Sequence, residues 1–174
     1  ERFKAGEVFI PEGVLSARAM NEAVRVLEPL LAGTQSATRG KVMIGTVKGD
    51  LHDIGKNLVL TMLKGVGFET IDLGIDLPAD EIVRKVAEHR PHILGMSALL
   101  TPTMSQMKKV IDALKEKGLR EKVKVMVGGA PVNEKFARDI GADGYAADGP
   151  DAVNLARKLM APSPPPLPRS GGEG

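Results

Sequence analysis

The sequence predicts a doubly wound α/β domain, a parallel sheet covered by helices on both faces, and two observations predict it. From Lys41 to Met160, short apolar runs rich in β-branched residues alternate with longer segments of helical period, the signature of βαβ units. Those runs are also apolar almost throughout, as strands buried on both faces must be; residues 42–47 and 123–127 are the clearest.

Five strands are expected in order: "KVMIGTV" (41–47), "FETIDL" (68–73), "HILGMS" (92–97), "VKVMVG" (123–128) and "DGYAA" (143–147). Each is followed by a helix, the clearest carrying Met104, Met107, Ile111 and Leu114 on one face at spacings of three and four. Such units build a five-stranded, Rossmann-type sheet in flavodoxin-like order over residues 41–160. There is no internal repeat beyond the alternation itself. Upstream, residues 12–31 read as an amphipathic helix striped by Ala17, Met20, Val24, Leu27 and Leu31. One such helix cannot bury its stripe alone, so it packs on the α/β domain or belongs to a helical bundle. The start at Glu1 favours the bundle, giving a partial helical cap over 1–33. Residues 32–40, small and polar, form a linker, and the Pro/Gly-rich tail 161–174, with five prolines, is expected to be disordered or a tether.

Composition narrows the function. The 174 residues, 43% apolar, suffice for one ordinary core. A balance of 24 basic against 22 acidic residues offers no nucleic-acid or membrane surface, and no apolar run nears the ~20 residues of a membrane span, so a soluble cytoplasmic protein is expected. With no cysteine, disulfides, cysteine-bound zinc, iron-sulfur clusters and thiolate nucleophiles are excluded. Four phenylalanines, one tyrosine and no tryptophan leave little for stacking a base or flavin. A cofactor would be held by backbone, hydroxyls and aliphatics.

Ligands of open α/β sheets bind beyond the carboxyl ends of the strands. The first such loop, "KGDLHDIGKN" (48–57), places His52 between Asp50 and Asp53. A lone histidine is most often a solvated turn residue. Here Asp50 is close enough to accept a hydrogen bond from one imidazole nitrogen, which fixes the tautomer and leaves the other free to bind a metal or move a proton. Zinc would need three or four protein ligands, and His89 and His92 flank Pro91 at the opposite end of the sheet. What fits is a metal that brings its own equatorial chelator and takes one axial nitrogen. Neither a phosphate-binding P-loop nor a dinucleotide fingerprint is present. A phospho-acceptor receiver would need an aspartate where Met96 and Ser97 end the third strand, and a lysine near "YAADG". Ser97 on the third loop is a common strand-end serine. Gly128 and Gly129 on the fourth are either a tight turn or a stretch where backbone approaches a bulky ligand. Met104 and Met107 read as core.

Together these residues resemble the cobalamin-binding signature Asp-x-His-x-x-Gly, 41 residues, Ser-x-Leu, 26–28 residues, Gly-Gly. Here it reads Asp50, His52 and Gly55; 41 residues (56–96); Ser97 and Leu99; 28 residues (100–127); Gly128 and Gly129. "GEVFIPEGVLSARAMNEAVRVLEPLL" (6–31) is similar to the end of the helical cap of methionine synthase and of the corrinoid proteins of methylamine and methoxyl methyltransferase systems. The resemblance implies cobalamin as cofactor, as methylcobalamin, with His52 replacing its benzimidazole as lower axial ligand of cobalt. Asp50 and Thr103 would complete a ligand triad that relays a proton. Gly49, Leu51 and Asp53 would line the loop, and the nucleotide tail would pass Ser97 and Thr101 toward Gly128, Gly129 and Gly149. Phe9 and Ile10 would shield the upper face of the corrin, whereas Gly13 departs from the larger aliphatic of methionine synthase.

The implied function is a methyl carrier, not catalytic alone, between methyl-donor and methyl-acceptor methyltransferase subunits or domains, with an acceptor such as tetrahydrofolate or a thiol and a reductive reactivation partner. "IGADGYAADGPDAVNLARKL" (140–159) resembles the ending of the stand-alone carriers. The alternative is the cobalamin module of methionine synthase, which methylates homocysteine. A mutase subunit is disfavoured by the cap-like segment, and a sensor would need a DNA-binding domain.

Overall fold

The computed structural model describes residues 38–161 and, before them, Ala19 alone. The remainder of the expected 12–31 helix, Phe9, Ile10 and the tail from residue 162 lie outside the described residues.

Among residues 38–161, five parallel strands and five α-helices alternate: β1 (Lys41–Val47), α1 (Ile54–Gly65), β2 (Glu69–Leu77), α2 (Ala79–His89), β3 (Ile93–Ser97), α3 (Met104–Glu116), β4 (Lys124–Gly128), α4 (Glu134–Ile140), β5 (Gly144–Ala146) and α5 (Gly149–Met160). The sheet order is β2-β1-β3-β4-β5, the flavodoxin-like order expected from the sequence. All four pairings are parallel.

Period-two alternation divides the core between the two faces. Met43, Val47, Leu94, Met96, Val125 and Val127 meet Ile82 and Val86 of α2, Met107, Ile111 and Leu114 of α3, and Ile140 of α4. Val42, Ile44, Ile93 and Met126 meet Leu60 and Leu63 of α1 and Val153 and Ala156 of α5. The inner residues of β1, β3 and β4 are therefore mostly apolar whichever way they point, and each fully buried Leu or Ile contributes about 1.5–3 kcal/mol. The expected α3 stripe forms the heart of the first cluster, with Met104 half-buried at its edge. Side chains cap two helices: Asn133 Oδ1 accepts from the Phe136 amide at 2.9 Å and Asp148 Oδ1 from the Asp151 amide at 2.9 Å.

β1 runs as expected, β3 and β4 each start one residue later, and β5 is one residue shorter at each end. β2 differs more, running to Leu77 instead of Leu73. It carries two extra residues relative to β1: Ile44 pairs with Asp72, Gly45 with Gly74 and Val47 with Leu77. The second bulge needs a left-handed backbone at Asp76 (φ 54°), and Gly74 sits at φ 94°. The glycine and polar alternation of residues 72–76 conceal the strand's second half from the sequence pattern.

Candidate functional site

β1, β3 and β4 end side by side, with Thr46 opposite Ser97 and Ser97 opposite Gly128. Past Val47 the chain turns sharply, the Asp50 amide donating to Val47 O at 3.1 Å, with Gly49 at φ 82° where a side chain would be strained. This turn drives the Asp50 carboxylate beneath the rim, where it is 0% exposed.

A buried carboxylate must be satisfied. Oδ1 of Asp50 accepts from the His52 amide at 3.1 Å and pairs with His52 Nδ1 at 2.7 Å. Oδ2 accepts from the amides of Leu99 at 2.6 Å and Leu100 at 3.2 Å and from Thr103 Oγ1 at 2.9 Å. Burial pushes the Asp50 carboxyl upward. The bonds from Leu99, from the His52 ring and amide and from Thr103 outweigh it and hold the group well below the usual carboxylate range. Asp50 is thus an anion that only accepts, so the proton of a neutral His52 sits on Nδ1 and its lone pair on Nε2. Thr46 Oγ1 pins the loop again, donating to His52 O at 2.9 Å. The His52 side chain is half-exposed, at 51%. The Thr103 hydroxyl, 2.7 Å from Leu100 O, has two acceptors for one proton.

His52, Asp50 and Thr103 are therefore assembled from two loops. Around them lie all the large apolar side chains that are exposed among the described residues: Leu51, Ile54, Leu58, Ile75, Leu99 and Leu100. Exposed apolar residues gathered on one rim mark a binding surface. Sequence reasoning named Leu51 and Leu99 and missed the others, although the i,i+4 spacing of Ile54 and Leu58 would place both on one face of α1. It also missed Lys56, buried at 3% exposure and paired with Asp72 of β2 at 2.5 Å.

The other predicted residues take varied places. Asp53 precedes α1 and accepts from Asn57 Nδ2 at 3.3 Å. Thr101 is exposed at the start of the 3-10 turn that carries Thr103. Gly128 ends β4 and Gly129 opens a tight turn, Gly129 O accepting from the Val132 amide at 3.0 Å. At Gly129 (φ 129°) a Cβ would fall 1.8 Å from Ala98 O, and at Gly128 2.9 Å from Ala146 O. Gly149 is buried where α5 meets α1, its missing Cβ 2.4 Å from Met62 Sδ, which gives it a packing reason of its own. His92 belongs to the far edge, its Nδ1 accepting from the Lys41 amide at 3.0 Å.

Gly55 is different. In the first turn of α1 it has ordinary helical φ, and a Cβ there would meet nothing within 4 Å. Nothing among the described residues requires glycine there, which is about 0.5–1 kcal/mol worse than alanine in a helix interior. The space beside Gly55 is open among the described residues and could admit a ligand. Gly55→Phe is accordingly expected to fold with a melting temperature close to that of the parent but to fail to retain methylcobalamin through desalting; undiminished retention would show that the space is not used.

Among the described residues, one depression lies away from the rim, lined by Val86, Arg90, Pro91 and Leu119 at the amino end of β3. Among the described residues no three histidine, cysteine or acidic side chains are grouped to hold a metal on their own. One free imidazole nitrogen, an apolar surround and a glycine-opened space suit a broad, mostly apolar metal chelate that lacks one axial ligand. Cobalamin fits that donor set.

Fold and site thus define a class, α/β proteins that present one half-exposed histidine at the carboxyl edge of a parallel sheet. The family model described as "B12 binding domain" matches residues 40–156. The dimethylamine corrinoid protein 1 of Methanosarcina mazei is 46% identical over 159 residues, 91% of this chain and 74% of that protein. Among solved structures, the Methanosarcina barkeri monomethylamine corrinoid protein aligns at a TM-score of 0.71 and 40% identity, covering 91% of this chain and 76% of its own. The methanol:cobalamin methyltransferase complex MtaBC of Methanosarcina barkeri aligns at 0.68 and 34% identity, over 91% of this chain and 60% of that one. The chain belongs to the B12-binding domain family and, within it, to the corrinoid proteins of methyltransferase systems. No helix among the described residues is long and apolar enough to cross a membrane.

Proposed function

We propose that this protein is a cytoplasmic methyl carrier in which His52 Nε2 is the lower axial ligand of cobalamin. The observation that carries the reading is the 2.7 Å bond between a buried, ionised Asp50 and His52 Nδ1, which leaves Nε2 as the free lone pair on an apolar rim. Bound cobalamin supplies the metal centre on which a methyl group is carried from a donor to an acceptor such as tetrahydrofolate or a thiol. The chain's own residues set that centre's lower face. Asp50 holds the imidazole in one tautomer and one orientation and makes Nε2 more basic. Thr103 Oγ1 can turn its proton from Asp50 Oδ2 to Leu100 O, which varies the charge the carboxylate shows to His52. Leu51, Leu99 and Leu100, exposed on the same rim, offer apolar surface for the cofactor to cover.

Gly49, Asp53 and Gly55 line the loop side of the cofactor, while Ser97, Thr101, Gly128, Gly129 and Gly149 follow its nucleotide tail. Phe9 and Ile10, outside the described residues, are expected from the sequence to shield the opposite face between encounters with partners. Those partners are methyl-donor and methyl-acceptor methyltransferase subunits and a reductive reactivation protein; the complex named for the methanol system supports the first kind. The amine corrinoid proteins among the relatives favour a stand-alone carrier over a methionine synthase module.

His52→Gly tests the role. The variant is expected to bind methylcobalamin within about tenfold of the parent, one ligand bond being a small part of a broad contact, while the visible spectrum of imidazole ligation is lost and methyl transfer slows. An unchanged spectrum and transfer rate would refute the assignment.

A further inference from the structure

We propose that Asp76, on the edge strand β2, is a positioning residue that clamps the histidine loop in the geometry from which His52 presents Nε2; this rests on the axial-ligand reading above. Asp76 Oδ1 accepts from the Gly49 amide at 2.7 Å, and the Asp76 amide donates to Asp50 O at 3.1 Å. The two bonds seize the residues immediately before Leu51 and His52. They act at the turn where Gly49 takes φ 82°, so they fix the direction in which Asp50 plunges beneath the rim.

The backbone at Asp76 supports a purpose beyond strand formation. Asp76 and Arg90 are the only described non-glycine residues at positive φ, and Arg90 is explained as the left-handed C-cap of α2. Asp76 is exposed, so packing does not impose its conformation. Glycine would adopt φ 54° freely, whereas a residue with a Cβ takes it at a cost. What aspartate adds is the acceptor on Gly49. The second β2 bulge is what aims it there, and the first lies beside Asp72, which pairs with Lys56 in the opening turn of α1. β2 thereby grips the loop on both sides of His52, and a histidine held so loses little freedom on meeting its metal.

The experiment compares Asp76→Gly and Asp76→Asn with the parent in the whole 174-residue chain. Glycine relieves the backbone and removes the acceptor; asparagine keeps an acceptor oxygen and tolerates left-handed φ. Without cofactor, Asp76→Gly is expected to speed hydrogen exchange at the Gly49 amide about tenfold, as loss of a hydrogen bond to a charged acceptor implies. With methylcobalamin it is expected to weaken binding about threefold to tenfold and to raise the fraction whose visible spectrum lacks imidazole ligation, at an unchanged melting temperature. Asp76→Asn is expected to restore all three readouts to within about twofold. Parental exchange and affinity in Asp76→Gly, or damage in Asp76→Asn equal to that in Asp76→Gly, would overturn the clamp. A parent protein that binds methylcobalamin without imidazole on the metal would overturn the axial-ligand reading itself, and the exchange data would then show whether the loop is still held by Asp76.

Discussion

Asp50→Ala is expected to destabilise the fold by about 3 kcal/mol or more, because it strands the amides of Leu99, Leu100 and His52 in a buried space, each stranded donor costing about 1–3 kcal/mol. Part of that is recovered where water enters the vacated volume, and Thr103 retains Leu100 O as an acceptor. Cofactor ligation should fall as well, because nothing then fixes the proton on Nδ1. Asp50→Asn separates the two effects. Its oxygen can serve Leu99, Leu100 and Thr103 while its NH2 faces His52, which turns Nδ1 into an acceptor and moves the ring proton to Nε2. Stability should therefore be lost in smaller part than in Asp50→Ala, and imidazole ligation lost in both. Denaturant midpoints beside visible spectra of methylcobalamin-loaded protein measure this, and an Asp50→Asn variant with normal ligation would contradict it. A pH signature accompanies the substitution. Asp50 is held below its ordinary pKa in the folded chain, so the stability it contributes is complete above about pH 4 and drains away as pH falls further. The parent should lose stability more steeply than Asp50→Asn over that acid range.

Gly129→Ala carries the other large effect. The added methyl would lie 1.8 Å from Ala98 O, 2.7 Å from Ala98 C and 3.1 Å from Ala98 N, all backbone atoms just past the end of β3. No side chain can rotate out of the way, and alanine is strained at φ 129° besides. The ends of β3 and β4 must part, at an expected cost of about 3 kcal/mol or more. Because Ala98 directly precedes Leu99 and Leu100, the movement reaches the donors on Asp50. Lower stability and lost imidazole ligation should appear together. Gly55→Phe, which opposes the cofactor without touching the backbone, should show the second without the first.

The sheet is legible in the sequence because its strands are buried on both faces and are written as continuous apolar runs. β2 is the exception that physics explains: an edge strand with one exposed side and two bulges has no uniform period, so its last four residues escape notice. Of the site, the two-residue spacing of Asp50 and His52 betrays a carboxylate that can reach its histidine. Thr103 enters only through the family resemblance. The amides of Leu99 and Leu100, two of the five groups bound to Asp50, are backbone and carry no residue identity that a sequence could announce. Lys56 escapes for a different reason, since lysine is ordinarily an exposed residue and its burial depends on Asp72, sixteen positions away on another element.

The most direct test of the axial-ligand claim is electron paramagnetic resonance of the protein loaded with cobalamin and reduced to cobalt(II), prepared once with natural histidine and once with 15N-histidine. The account predicts that the nitrogen splitting changes from a triplet to a doublet on labelling and disappears in His52→Gly. A triplet unmoved by the label would mean that the metal keeps its native base, and the account would be wrong.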